Sequence, residues 1–148
     1  MNRKSIAIVI ALVMLSAIAL GCTDSTKNEA LNFEVKGEVE NPGAYNLEDY
    51  NDRLVTINAK LDGDVTHLPA QDYTGVPLRT VLADAKVKTG ATMVSFLASD
   101  GYNQVFELSN VTANDNLILI DEDNTVRLVA KGYAGGMWVR YIKTIEIK

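Results

Sequence analysis

Apolar and polar positions divide the chain into three regimes. Residues 6–20 are uncharged and almost wholly apolar, residues 23–32 are polar with no apolar period, and residues 33–148 carry short periodic runs. The first regime, about fifteen residues, is too short for the ~20 that a spanning helix needs and suits the core of a signal peptide. In the third, strand patterns dominate. Residues 33–39 alternate, with Phe33, Val35 and Val39 on one face, and Asn41-Pro42-Gly43 ends them in a turn. Asn46-Leu47-Glu48-Asp49 reads as a short capped helical turn in which the Asn46 side chain accepts from the Asp49 N–H. Residues 54–61 alternate again, with Val55, Ile57, Ala59 and Leu61 on one side. Gly75-Val76-Pro77-Leu78 opens the clearest helix. Pro77 suits its first position, and Leu78, Val81, Leu82 and Ala85 form one buried stripe. Further strands are expected at 92–98, 103–108, 117–120, 125–130 and 141–147, with residues 121–124 as a hairpin loop. The pattern predicts an α+β domain, mainly β, with one or two short helices and without regular βαβ alternation.

The single cysteine, Cys22, directly follows Ala19-Leu20-Gly21 at the end of the apolar run, and Arg3 and Lys4 precede that run. A basic start, an apolar core and small residues together make an export leader. Ala19-Leu20-Gly21-Cys22 resembles the lipobox of bacterial and some archaeal lipoproteins, with Ala19 where Leu is more usual. That resemblance implies cleavage before Cys22 and a diacylglyceryl group on its sulfur. Residues 1–21 are therefore expected as signal peptide, 22–32 as lipid-anchored cysteine and polar tether, and 33–148 as one small domain. The expected location is the extracytoplasmic face of a membrane. Ordinary secretory cleavage and an uncleaved N-terminal helix are the alternatives. Of the 14 basic residues, Arg3 and Lys4 leave with the leader, so 12 remain against 19 acidic ones and the net charge is −7. Such a surface argues against nucleic acid or anionic lipid heads as partners.

Apart from Cys22 the chain has no thiol, and His67 is its only histidine. No Cys/His metal set and no nucleophilic triad can be assembled from these. Asp121-Glu122-Asp123 lacks the loop spacing of a strong calcium site and reads as a solvated hairpin tip. The best candidate site is the loop from Gly132 to Trp138, flanked by Lys131 and Arg140. Its glycines admit close backbone approach, and the cations can hold an anion. The competing reading is a tight loop between strands with Trp138 in the core. Asp100-Gly101-Tyr102 reads first as a turn and only second as a binding element. Arg79 follows Leu78 on the helix, as a surface charge or a pocket-facing one.

Four phrases carry a family resemblance. The first is Val35-Lys36-Gly37-Glu38-Val39-Glu40-Asn41-Pro42-Gly43 with Leu47-Glu48-Asp49-Tyr50, and the second is Tyr73-Thr74-Gly75-Val76-Pro77-Leu78-Arg79-Thr80-Val81-Leu82. The third is Val94-Ser95-Phe96 with Ser99-Asp100-Gly101-Tyr102. The last runs from Arg127-Leu128-Val129 through Gly132 and Gly135-Gly136 to Trp138-Val139-Arg140-Tyr141-Ile142-Lys143-Thr144-Ile145. In order and approximate spacing these resemble the oxidoreductase molybdopterin-binding domain, the sulfite-oxidase-like family. The resemblance implies mainly antiparallel and mixed sheets and a molybdopterin cofactor. With the loop above, it gives Arg79, Asp100, Tyr102, Arg127, Lys131, Gly135, Gly136, Trp138 and Arg140 as ligand-binding candidates. It also implies a cysteine ligand to molybdenum before the helix. Here that position falls on Ala59 or Leu61, neither of which donates to a metal, and Ala130-Lys131 replaces the usual Pro. The expected function is a membrane-tethered binding or interaction module for a pterin, another anionic ligand or a redox partner protein. The alternatives are a molybdopterin-dependent oxidoreductase, with the metal held by the dithiolene alone or by an oxygen ligand, and an accessory subunit of a membrane redox complex. The absent thiol favours the non-enzymes, the module and the accessory subunit.

Overall fold

The computed structural model describes residues 26–148. The expected leader, and Cys22 with it, lies outside the described residues. Nine strands and two helices follow in the order β1 (Asn32–Gly37), β2 (Gly43–Asn46), β3 (Val55–Asp62), β4 (His67–Pro77), α1 (Leu78–Ala85), β5 (Met93–Ala98), β6 (Asn103–Glu107), α2 (Leu108–Thr112), β7 (Leu117–Glu122), β8 (Thr125–Ala130) and β9 (Ile142–Ile147). They form a five-stranded sheet, β2-β1-β9-β5-β6, and a four-stranded sheet, β3-β4-β7-β8. The first is mixed, because β1 runs parallel to β9 while its other pairs are antiparallel. The second is antiparallel throughout. This is the mainly β, α+β architecture expected.

One core joins the sheets. Val35, Val94, Phe96, Ile145 and Ile147 of the five-stranded sheet belong to the same buried cluster as Val76, Leu119 and Leu128 of the other. The sheets meet where β8 packs on β9 and the Leu128 N–H donates to the Val139 carbonyl at 2.8 Å. Helix α1 contributes Leu78, Val81, Leu82 and Ala85, all buried, so its apolar stripe faces inward as its spacing requires.

The structure departs from the pattern in several places. Strand β4 was not anticipated, and the segment from Gly75 is its end rather than the start of a helix. Pro77 pairs with Ile118 as the last strand residue and serves as the N-cap of α1. Gly75 is needed for strand contact, since a side chain there would strike the Leu119 carbonyl and the Ile120 side chain. Strand β2 is a four-residue edge strand with little burial, and residue 108 begins α2 rather than ending β6. The Asn46 side chain caps as expected, but it accepts from the Glu48 N–H at 2.9 Å rather than from Asp49. Finally, the packed body begins at Asn28, inside the stretch expected as tether. Asn28 caps a 3₁₀ turn, Glu29–Leu31, its N–H donates to Glu48 Oε2 at 3.0 Å, and Leu31 is buried. One buried residue, Leu31, in a polar run has no period to reveal it.

Candidate functional site

Strands β3 and β4 extend beyond the sheet as a hairpin whose tip, residues 63–66, reaches the chain after β8. The tip, Leu61, Arg127 of β8, and Gly135, Gly136, Trp138 and Arg140 enclose a cleft of about 420 Å³. The two loops touch through glycine. A Cβ on Gly135 would lie 2.8 Å from the Gly63 Cα, so only a bare backbone permits this approach.

Arg127 is the buried cation of the site, 3% exposed. It pairs with Glu122 Oε1, and Glu122 Oε2 pairs with Arg140 Nε at 3.2 Å. The arrangement follows from the β7–β8 hairpin. Asp123 and Asn124 take φ values of +53° and +60° in a two-residue turn, the geometry that Asp and Asn tolerate best. Ile120 then faces Arg127, which places Glu122 two residues on as its diagonal neighbour. The guanidinium carbon of Arg127 lies 5.6 Å from the Trp138 ring centroid, and Trp138 meets Tyr73 edge-on at 5.4 Å. Trp138 therefore belongs to the core and to the cleft wall at once. At the rim, the Tyr102 hydroxyl donates to the Gly136 carbonyl and accepts from Gln104 Nε2 at 2.8 Å.

The fold thus brings together Arg127, Gly135, Gly136, Trp138 and Arg140, with Tyr102 fastening the loop. It does not bring in the other candidates. Asp100 accepts the Tyr102 N–H at 2.9 Å within the β5–β6 turn. Arg79 pairs with Asp115 at 2.6 Å and borders a separate groove of about 670 Å³ beside α1. Lys131 borders a third cleft with Ala59, Gly132 and Tyr133. Two contributors were missed. Glu122 was read as part of a solvated tip, though a two-residue turn at 123–124 would have aimed it at Arg127. The tip of the β3–β4 hairpin carries no local signal for its contact with Gly135.

On the same hairpin, the Lys60 ammonium at 3.0 Å and the His67 ring at 2.7 Å hold the exposed Asp62 carboxyl below its ordinary range. Because the folded value lies below the unfolded one, whatever these contacts contribute is present at neutral pH and is lost as pH falls through that lower value. In a carbon-13 carboxyl titration Asp62 should titrate below the usual ~3.9, and Lys60→Ala should raise its midpoint. An unmoved midpoint would refute the pairing.

The sequence matches the family model for the oxidoreductase molybdopterin binding domain across residues 21–148. The chain belongs to this family. Among solved structures it is similar to the sulfane dehydrogenase SoxCD from Paracoccus pantotrophus, with a TM-score of 0.69 and 22% identity. The match covers 82% of this chain and 39% of that one, and it shows a shared fold. Comparison with curated protein sequences gives no match.

Within this molybdopterin-binding-type domain, the residues present do not fit molybdenum. A register shift between Ala59 and Leu61 sends the two assigned ligand positions to different clefts. Leu61 lines the Arg127 cleft and Ala59 the Lys131 cleft, and both side chains are hydrocarbon. Among the described residues no three His, Cys, Asp or Glu side chains gather into a metal-binding group. Among the described residues there is no cysteine to give the thiolate that this metal needs.

Proposed function

We propose that this chain is a membrane-tethered, extracytoplasmic binding module built on the molybdopterin-oxidoreductase fold. The observation that carries the reading is the composition of the cleft wall. Two arginines share one carboxylate there, and neither Ala59 nor Leu61, the two positions on which the family's metal thiolate falls, offers a donor atom. Such a wall attracts anions and offers molybdenum no ligand. The apolar run at 6–20 and Cys22 behind it support the tether. Among the described residues no helix is long and apolar enough to cross a membrane.

Family membership alone favours the second reading, a molybdenum enzyme or a subunit of one. The two separate cleanly when the whole chain is produced in a host that makes molybdopterin and is purified from membranes. Elemental analysis for molybdenum and pterin fluorescence after oxidation should both fall far below one equivalent. Stoichiometric molybdenum would overturn the binding module.

A further inference from the structure

Two buried donors in the cleft wall lack an acceptor among the described residues, Arg127 Nε and Trp138 Nε1. Their side chains are 3% and 5% exposed, so neither can turn out to water. A buried N–H without an acceptor is costly, and native interiors rarely keep two side by side. Their side chains are neighbours, with the Arg127 guanidinium carbon over the Trp138 ring, 5.6 Å from its centroid. The charge around them is also unbalanced. Among the described residues, Glu122 is the only carboxylate paired with Arg127 or Arg140; Asp64 also lines the cleft but is exposed on the hairpin tip, so the excess positive charge lies only at the buried end.

Two orphan donors and one surplus charge define a ligand group. We propose that the cleft binds a carboxylate, one oxygen accepting from Arg127 Nε and the other from Trp138 Nε1. This rests on the reading of the cleft as a metal-free anion-binding site. A carboxylate supplies two acceptor oxygens on one charge, which matches both counts. A phosphate dianion brings a second negative charge, which the buried end of the cleft does not balance. The volume of about 420 Å³ exceeds what a carboxyl group fills, and Leu61 and the Gly135-Gly136 backbone line it. The ligand is therefore an organic acid with a compact, partly apolar body.

Both nitrogens are sealed from solvent, so the cleft lining must open to admit the acid. Its most exposed part is the β3–β4 tip, where Val65 is 94% exposed and Gly63 rests on Gly135. So little buried surface at the tip makes its opening a low-energy motion.

The chain has one tryptophan, so its indole N–H gives a single resonance on the proposed ligand contact. The whole chain, labelled with nitrogen-15 tryptophan, is titrated with benzoate and acetate, and with inorganic phosphate and chloride at matched ionic strength. A saturable downfield shift is expected with the carboxylates only, with benzoate tighter than acetate. Arg140→Gln should weaken benzoate by roughly tenfold. Trp138→Phe keeps an aromatic ring and should abolish the rise in melting temperature that benzoate gives the parent chain. A silent indole, an equal shift with phosphate or chloride, or an undiminished rise in Trp138→Phe would each overturn the carboxylate site. Molybdenum analysis of the same sample keeps the two readings apart. Metal present sinks the binding module itself, whereas a silent indole without metal sinks only the carboxylate.

Discussion

Replacing Glu122 with Ala should cost about 3–5 kcal/mol of folding stability, because it strands a buried guanidinium without its counter-ion. The two arginines that share Glu122 do not contribute equally. Arg140 is half exposed and recovers its hydration when the carboxylate goes, so its loss stays within the ~0–1 kcal/mol of a surface pair. Arg127, 3% exposed over the Trp138 ring, has no path to water and carries nearly the whole effect. Urea unfolding measures it directly, and the thermal midpoint should fall by roughly 10–25 °C. Glu122→Gln keeps an acceptor oxygen and should lose less. The double variant Glu122→Met with Arg127→Met removes both charges and should recover much of the loss, since apolar replacements of a whole buried pair are often neutral. If Glu122→Ala instead unfolds within about 1 kcal/mol of the parent, the pair is not the structural centre of the cleft. Arg127 would then be free to shift on ligand binding.

How far the sequence foretold this arrangement depends on whether the evidence for each part is local. Strands β1, β3, β7, β8 and β9 sit where alternation or apolar runs placed them, and the α1 stripe of Leu78, Val81, Leu82 and Ala85 is buried as its spacing demanded. Strand β4 was hidden because Ala70, Gln71 and Asp72 are all exposed where the hairpin leaves the sheet, so no apolar alternation is required of them. Its end was misread because Gly75-Val76-Pro77 suits a helix start as well as a strand terminus, and the deciding contact, Leu119, lies far along the chain. The site divides the same way. Gly135, Gly136, Trp138 and Arg140 were legible as one glycine-rich loop, and Arg127 through the family phrase that precedes it. Leu61 and residues 63–66 reach the site by packing of the β3–β4 tip on Gly135, a meeting that neither segment announces. Arg79 and Lys131 drew attention by charge and by their places in the family phrases, and the fold directs each to another surface.

The proposed anchor carries the second large effect, because Cys22→Ser should change where the protein is found rather than how it folds. A single acyl chain holds a protein to a bilayer only marginally, at ~0.8 kcal/mol per buried CH₂, while two chains on one residue make the attachment stable. The rest of the processed chain would supply little to replace them. Its net charge of −7 repels anionic headgroups, and among the described residues no helix is long and apolar enough to span a bilayer. Serine offers no sulfur for the diacylglyceryl group, so on fractionation the variant should move from the detergent-soluble membrane pool to the aqueous one. Intact mass covers the case in which an uncleaved leader keeps the variant on the membrane. The parent chain should begin at Cys22 and carry the added lipid mass, and an unmodified Cys22 would overturn the anchor. The packed body starts at Asn28, so residues 22–27 would be the whole span between lipid and fold. At about 3.3–3.6 Å per residue that span is at most some 20 Å, which would hold the cleft close to the membrane surface.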